Sequence, residues 1–502
     1  MSKNVGVTIA RSDALLVPGH TCWRIERANR FAFIVDAADY FRVVKAAMLK
    51  AQHSIVLIGW DFDTRIKFEP QETTLPGPNR LGRFLSWLLK RQPDLRIYVL
   101  KWDLGVVQAL GRGMTPVFIL NWITNRRISF RLDGAHPAGA AHHQKLIVID
   151  GALAFCGGID MTTDRWDTSD HLDDNPLRTK PSGRHYGPWH DATTAVDGDA
   201  ARALWDMAQA RWKQATGEPL PTPASSDFDP WPEELGTTLG DVDVGISRTL
   251  PELEDREEAR EIEALYLEAI AQAERTIYLE SQYLASRKIA EALEARLCDA
   301  VGPEIIIVLP ETTVGWLEHK AMDGARRKLL QMLWRADRRQ KLGVFYPVTA
   351  NGNAIYVHAK VMVIDDRLLR VGSSNLNNRS MGYDSECDLS IEALKGSDDE
   401  QRLKEAIRSI RNRLLSEHLD VSQARFNSAV EGVSGSLLDA VKTLRGSGRT
   451  LIPFDAAQIA DEDSVLAENE LLDPEHPAPS VQQRVSSAVT AIASRLGRRS
   501  EH

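Results

Sequence analysis

The pattern His-x-Lys-x-x-x-x-Asp occurs twice in this chain, from His143 through Lys145 to Asp150 and from His358 through Lys360 to Asp365, 215 residues apart. Each copy runs into a glycine turn, Gly157-Gly158-Ile159-Asp160 in the first and Gly372-Ser373-Ser374-Asn375 in the second. A repeat of that size points to two similar halves rather than one continuous domain. The order of elements read around each copy agrees. A helical pattern at residues 39–52, apolar strands at 55–60 and 96–100 and the motif strand at 145–150 are matched by a helix at 257–274, strands at 277–284 and 304–309 and the motif strand at 360–365. An amphipathic helix closes each half, marked by Leu204, Trp205, Ala208 and Trp212 in one and by Leu403, Ile407, Ile410 and Leu414 in the other.

The expected layout is an N-terminal segment at 1–38, a first half at 39–220, a proline-bearing linker at 221–245, a second half at 246–430 and a C-terminal extension at 431–502. Continuous apolar runs such as residues 305–309 are strands buried on both faces, so the fold class is α/β. Within the extension, Val481, Val485, Val489, Ile492 and Leu496, with Arg484, Arg495, Arg498 and Arg499, predict an amphipathic basic helix. It is read first as packed on the body and alternatively as a membrane-surface contact.

Composition narrows the function. A net charge of −9 over 502 residues gives no global field for collecting DNA or RNA, so any phosphate site must be local. Cys22, Cys156, Cys298 and Cys387 form no Cys-x-x-Cys pair and are read as reduced, mostly buried thiols. The apolar stretch from Val5 to Ala10 is too short for a signal peptide, and no run approaches the roughly 20 apolar residues of a membrane span. The expectation is a cytoplasmic protein peripheral to membranes, with export by a route without an N-terminal signal left open.

In an extended strand, residues two apart share a face, so each motif presents one imidazole and one ammonium together. If the halves pack about a pseudo-twofold axis, His143, Lys145, His358 and Lys360 meet in one cleft, a set suited to a phosphodiester. One imidazole attacks phosphorus to give a phosphohistidine while the other protonates the departing alkoxide. The lysines offset charge on the non-bridging oxygens, and phosphate-binding residues are expected at Gly158, Asp160, Ser373 and Asn375 in the turns. Each imidazole needs an orienting partner, and Asp191 and Glu386 follow the two motifs at comparable distances. Asp150 and Asp365 are carried as catalytic candidates, with capping of the following turns as the structural alternative.

At this point the chain resembles the phospholipase D superfamily, whose signature is this motif in two copies. The resemblance extends to Arg165-Trp166-Asp167-Thr168 and Pro188-Trp189-His190-Asp191 in the first half, and to Glu280-Ser281-Gln282-Tyr283, the run from Gly372 to Met381, and Asp384-Ser385-Glu386 in the second. It implies two pseudo-twofold-related α/β/α halves sharing one central active-site cleft, with His143 as nucleophile and His358 as general acid. It also implies a phospholipase D that hydrolyses glycerophospholipids to phosphatidic acid and transfers the phosphatidyl group to alcohols. A cardiolipin synthase-like phosphatidyltransferase is the first alternative and a phosphodiesterase or nuclease of the same superfamily the second, the latter disfavoured by the acidic chain. The residues ahead of the first half leave no room for the lipid- or calcium-binding modules that precede the core in many eukaryotic members. The expected partners are phospholipid at a membrane or micelle surface and a water or alcohol acceptor, with no nucleic acid, and one chain completes the site as a monomer.

No cofactor is required by this chemistry, with a divalent cation such as calcium left open as a modulator. His171, His185 and His190, set among aspartates, have spacings that fit no compact ligand set, so no metal is expected. Residues 168–186 read as a loop near the cleft, either shaping headgroup choice or simply solvated. Trp60, Trp166, Trp189 and Tyr283 flank the motif elements as pocket or core aromatics.

Overall fold

The computed structural model describes residues 13–103, 125–222, 229–254, 256–313, 316–455 and residue 473. In chain order the first part supplies β1 (Arg24–Val35), α1 (Ala37–Lys50), β2 (Ser54–Gly59), α2 (Leu81–Arg91), β3 (Arg96–Trp102), β4 (Ile128–Asp133), β5 (Leu146–Ile149), β6 (Leu153–Gly157), β7 (Trp189–His190), β8 (Ala192–Asp197) and α3 (Gly198–Thr216). There follow β9 (Leu239–Leu250), β10 (Ala259–Arg260), α4 (Glu261–Ala271), β11 (Thr276–Glu280), α5 (Arg287–Cys298), β12 (Glu304–Val308), α6 (Trp316–Ala336), β13 (Leu342–Val348), β14 (Tyr356–Val357), β15 (Val361–Ile364), β16 (Leu368–Gly372), β17 (Glu386–Glu392), α7 (Glu400–His418), α8 (Gln423–Gly432), α9 (Leu437–Leu444) and β18 (Thr450–Pro453).

Among the described residues, sixteen strands form one continuous sheet. Outward from its centre one side runs β1, β8, β6, β5, β2, β3, β4 and the other β9, β17, β16, β15, β11, β12, β13, so the two sequences of connections correspond strand for strand. The seam is the antiparallel pair β1–β9, with Arg24 opposite Ile246 and Phe31 opposite Leu239. β18 adds to the outer edge beside β13.

Period-two alternation sorts the strand side chains onto two faces. Val56 and Ile58 of β2 and Val361 and Val363 of β15 enter a core that spans both sides of the seam, covered by α3, α7, α8 and α9. Ile55 and Leu57 face the opposite layer with α1 and α2, while Met362 and Ile364 pack with α4, α5 and the C-terminal part of α6. The sheet is therefore covered by helices on both faces. Leu204, Trp205, Ala208 and Trp212 of α3 and Leu403, Ile407, Ile410 and Leu414 of α7 all lie in the shared core.

The boundaries differ from the expected layout in three places. The N-terminal segment contains β1, whose Phe31, Ala32 and Phe33 are buried at the centre of the sheet. The linker ends early, because β9 begins at Leu239 and buried Trp231 donates its indole N–H to Leu235 O at 2.8 Å. The extension carries α9 and β18, while its expected basic helix lies outside the described residues; Asp473 accepts the backbone N–H groups of Asn378 and Arg379 at 3.0 and 2.8 Å. Cys22, Cys156 and Cys387 are buried free thiols, whereas Cys298 is exposed. No helix among the described residues is long and apolar enough to cross a membrane.

Candidate active site

Two short main-chain pairings set the site, and both join segments from opposite sides of the seam. β7 runs parallel to β14, with Tyr356 opposite Trp189 and the His358 N–H donating to His190 O at 2.8 Å. The corresponding pairing sets His142 beside Ser385, and the His143 N–H donates to Ser385 O at 3.0 Å. In each case the residue after the acceptor is a carboxylate, so the pairing delivers that carboxylate to the histidine. His358 Nδ1 lies 2.7 Å from Asp191 Oδ2, and His143 Nδ1 lies 2.9 Å from Glu386 Oε2. The partners are therefore exchanged: the carboxylate after the first motif serves the second histidine, and the one after the second motif serves the first.

Binding of Nδ1 to a carboxylate leaves Nε2 of each ring for chemistry. Glu386 is held by the hydroxyls of Ser373 and Ser380, the latter donating at 2.7 Å. Burial, with the charges of Lys145 and Lys360 assisting, pushes both imidazoles well below the usual histidine range. Burial also pushes Glu386 up to about 8, opposed by Lys145 and the two serine hydroxyls. Both shifts have the same cause, since burial disfavours the charged form of ring and carboxyl alike.

The lysines are alike in position and unlike in setting. Each donates back to the carbonyl of its own motif histidine, Lys145 to His143 O at 2.8 Å and Lys360 to His358 O. Lys145 also lies 3.3 Å from Asp160 Oδ2, whereas the residue at the matching place in the second glycine turn is the uncharged Asn375. Burial, reinforced by Lys145 and opposed by Asp191, pushes Lys360 down to about 7.

The four expected phosphate-binding residues lie among the groups that hold the two histidines and Lys145. Gly158 donates its N–H to Ala192 O at 2.9 Å, and a Cβ there would collide with the Asp191 carboxylate, so glycine is needed to admit the partner of His358. Asp160 is an anion that accepts the Trp60 N–H at 3.1 Å and pairs with Lys145. Ser373 spends its hydroxyl on Glu386 and accepts the Cys387 N–H at 3.0 Å. Asn375 donates its backbone N–H to Ser380 Oγ at 3.0 Å, and its side-chain oxygen is buried without a hydrogen-bond partner. Gly158, Ser373 and Asn375 thus support the groups that orient the two histidines.

Asp150 and Asp365 stand apart from the histidines, each beyond a four-residue strand that separates it from its lysine by about 15 Å. Asp150 accepts the N–H groups of Gln52, His53 and Ser54 at 2.6–2.8 Å, and Asp365 those of Glu274, Arg275 and Thr276 at 2.6–2.7 Å. Both adopt a left-handed backbone, with φ of 50° and 52°, and both fasten the start of the neighbouring strand. Their geometry favours the structural alternative over direct catalysis. Asp150→Ala is expected to lower stability by about 2 kcal/mol through three abandoned N–H donors while leaving turnover per folded molecule within about twofold. Thermal unfolding beside an active-site titration measures both.

Arg165 belongs to a motif quoted above but was given no role there, and Tyr356 lies outside the motifs. Trp189 stacks on Tyr356 at 4.5 Å between ring centroids, lies 5.2 Å from the His358 ring, and has the Arg165 guanidinium carbon 4.4 Å from its own ring centroid. Arg165 Nε is buried without a hydrogen-bond partner, and its charge helps depress His358 and Lys360. The available signal was position: Tyr356 precedes His358 by two residues and so shares its strand face. Trp166 is core, Trp60 stacks on Trp102 at 5.9 Å, and the Tyr283 hydroxyl accepts from Gln282 at 2.9 Å. The loop 168–186 is tied down rather than free, with His171 and Arg178 buried and Asp173 accepting from Asn351 and Asn353 of the second half at 3.0 and 2.8 Å.

Residues 266–407 match the family model described as "Cardiolipin synthase, PLD-like domain". The chain is 24% identical over 524 residues to "Phospholipase D alpha 3" of Arabidopsis thaliana, covering 76% of this chain and 63% of the relative. It is also 24% identical over 424 residues to "Phospholipase D A" of Dictyostelium discoideum, covering 69% of this chain and 31% of that relative. The chain thus spans between about a third and two thirds of the length of these relatives. Among solved structures, phosphatidylserine synthase of Haemophilus influenzae superposes with a TM-score of 0.53 at 12% identity, over 82% of this chain and 95% of that one, which is a likeness of fold.

Proposed function

Because the chain belongs to the phospholipase D superfamily, we propose that it cleaves the distal phosphodiester of glycerophospholipids, releasing phosphatidic acid and the free headgroup, and passes the phosphatidyl group to an alcohol when one is present. The observation that carries this reading is the exchanged pair of histidine–carboxylate contacts, each beside its own buried lysine. His143 Nε2 attacks phosphorus, and the P–N bond forms as the bond to the headgroup oxygen breaks. His358, protonated at Nε2, gives that proton to the departing alkoxide. It then takes a proton from water, whose oxygen displaces His143 from phosphorus and frees phosphatidic acid. The negative phosphate opposes the effect of the lysines on His358 and so lets it hold the proton it must donate. Lys145, Lys360 and Arg165 offset the charge gathering on the non-bridging oxygens. The depressed pKa of His143 keeps its ring neutral, which a nitrogen nucleophile requires.

A second reading uses the same two steps with a lipid alcohol as acceptor, and the family model that matches residues 266–407 favours it. Mass spectrometry of products from mixed phospholipid vesicles, with ethanol or glycerol present, separates the two. Phosphatidic acid with phosphatidylethanol is the expected result. Cardiolipin or exchanged headgroups with little phosphatidic acid make the chain a synthase. No lipid product, beside cleavage of a nucleic acid in a parallel reaction, overturns both.

A further inference from the structure

Behind the Asp191–His358 pair, four side chains from both sides of the seam converge in a buried cluster that the proposed reaction does not use. Asp36 follows β1, His171 lies in the loop after the first glycine turn, His190 ends β7, and Glu417 lies in the last turn of α7. One nitrogen or oxygen from each lies within 4.8 Å of the other three. His190 Nδ1 is 2.9 Å from Glu417 Oε1 and 3.3 Å from Asp36 Oδ1; His171 Nε2 is 3.3 Å from Glu417 Oε1 and 3.7 Å from Asp36 Oδ2. A tetrahedral zinc ion with ordinary nitrogen and oxygen bond lengths has ligand-to-ligand edges of about 3.3–3.5 Å, which these separations bracket.

Hydrogen bonding accounts for three of the four groups, since His171 Nε2 meets Glu417 Oε1 at 3.3 Å and Asp36 accepts from the Ser169 hydroxyl at 2.9 Å, and it leaves out His190 Nδ1. His190 Nδ1 is fully buried and has no hydrogen-bond partner, since neither neighbouring carboxylate lies in line with an N–H at that nitrogen. The outer nitrogens behave differently. His171 Nδ1 meets Asp167 Oδ2 at 3.0 Å, and His190 Nε2 meets Glu280 Oε2 at 3.0 Å. Asp167 is backed by Arg178, and Glu280 by His418 at 2.9 Å. Histidines that ligate a metal characteristically give their second ring nitrogen to a carboxylate, and here both do. The neighbouring trio His190, Glu280 and His418 has contacts of true hydrogen-bond geometry, and Glu280 also accepts the Tyr278 hydroxyl, so the trio supports the first cluster rather than competing with it.

We propose that Asp36, His171, His190 and Glu417 form a structural site for a divalent transition metal, with zinc as the best match. Two neutral imidazoles and two carboxylates balance a doubly charged ion, and the mixed nitrogen and oxygen set with four donors suits zinc rather than calcium, which takes six to eight oxygens. The spacing of residues 36, 171, 190 and 417 hides the site in the sequence, where no two of the ligands fall within one turn or hairpin. The ion clamps β1 and the 168–186 loop to α7 across the seam. It also fixes Asp191, whose N–H donates to Asp36 Oδ1 at 3.2 Å and whose carboxylate orients His358. These four ligands are positioning residues, and the proposal stands whether the reaction is hydrolysis or transfer.

Elemental analysis of the full chain, purified without chelator and dialysed into metal-free buffer, tests it. The expected content is about one zinc per chain, lost in His171→Ala and in Glu417→Gln. Wild-type protein stripped with a strong chelator and reloaded with cobalt(II) is expected to show the intense visible bands of a four-coordinate ion, a readout that depends on no variant folding. Negligible zinc in the wild type together with no such cobalt bands overturns the site. Equal metal content in wild type and both variants overturns the ligand assignment. Neither readout involves lipid turnover, so failure of the phospholipase reading is scored separately.

Discussion

Replacing His143 or His358 by alanine is expected to reduce turnover of phospholipid by about four orders of magnitude or more, since neither imidazole can be nucleophile and proton carrier at once. The two variants are expected to fail at different points. With a phosphodiester whose leaving group needs no protonation, His358→Ala still forms the phosphohistidine but cannot activate water against it, so a labelled adduct accumulates. His143→Ala has no nucleophile and traps nothing. A radiolabelled diester followed by denaturing separation reads both results. Substantial activity in either variant would sink the two-histidine mechanism, and an adduct confined to His143→Ala would reverse the roles.

The second large effect comes from the exchanged carboxylates. Glu386→Gln and Asp191→Asn are each expected to lower kcat by about 10²–10⁴-fold, because an amide can hold the ring in the wrong tautomer and cannot stabilise its cation. Glu386 acts through His143 and Asp191 through His358. Asp191→Asn is therefore expected to behave like His358→Ala and accumulate adduct from the activated diester, while Glu386→Gln slows adduct formation itself. Pre-steady-state bursts with that substrate distinguish the assignments. The opposite pattern, a burst retained in Glu386→Gln and lost in Asp191→Asn, would mean that each carboxylate serves its own half.

Much of this molecule is legible in one dimension because the information is local. Alternation within β2 and β15 and the three- and four-residue steps of α3 and α7 depend only on which faces are buried, and apolar residues report that directly. β1 was harder to read, since polar Arg24, Glu26, Arg27, Asn29 and Arg30 fill its first half and only the end of the strand looks apolar. Its place at the seam comes from pairing with β9 more than two hundred residues later.

The duplicated motif determined by itself that two imidazoles and two lysines would be presented in matching ways, that the fold would be an α/β pair of like halves, and that Asp191 and Glu386 were the carboxylates to consider. Tertiary structure alone decided which carboxylate meets which ring, because that depends on the register of β7 against β14 and of His142 against Ser385, contacts between segments 167 and 243 residues apart. It also decided that Gly158 and Ser373 support those carboxylates, that Asp150 and Asp365 fasten strand ends, and that Asp36, His171, His190 and Glu417 share one buried point. The physical reason is the same in each case: strand periodicity says which face a side chain takes, while its neighbour on that face is set by the packing of distant segments, which no local pattern records.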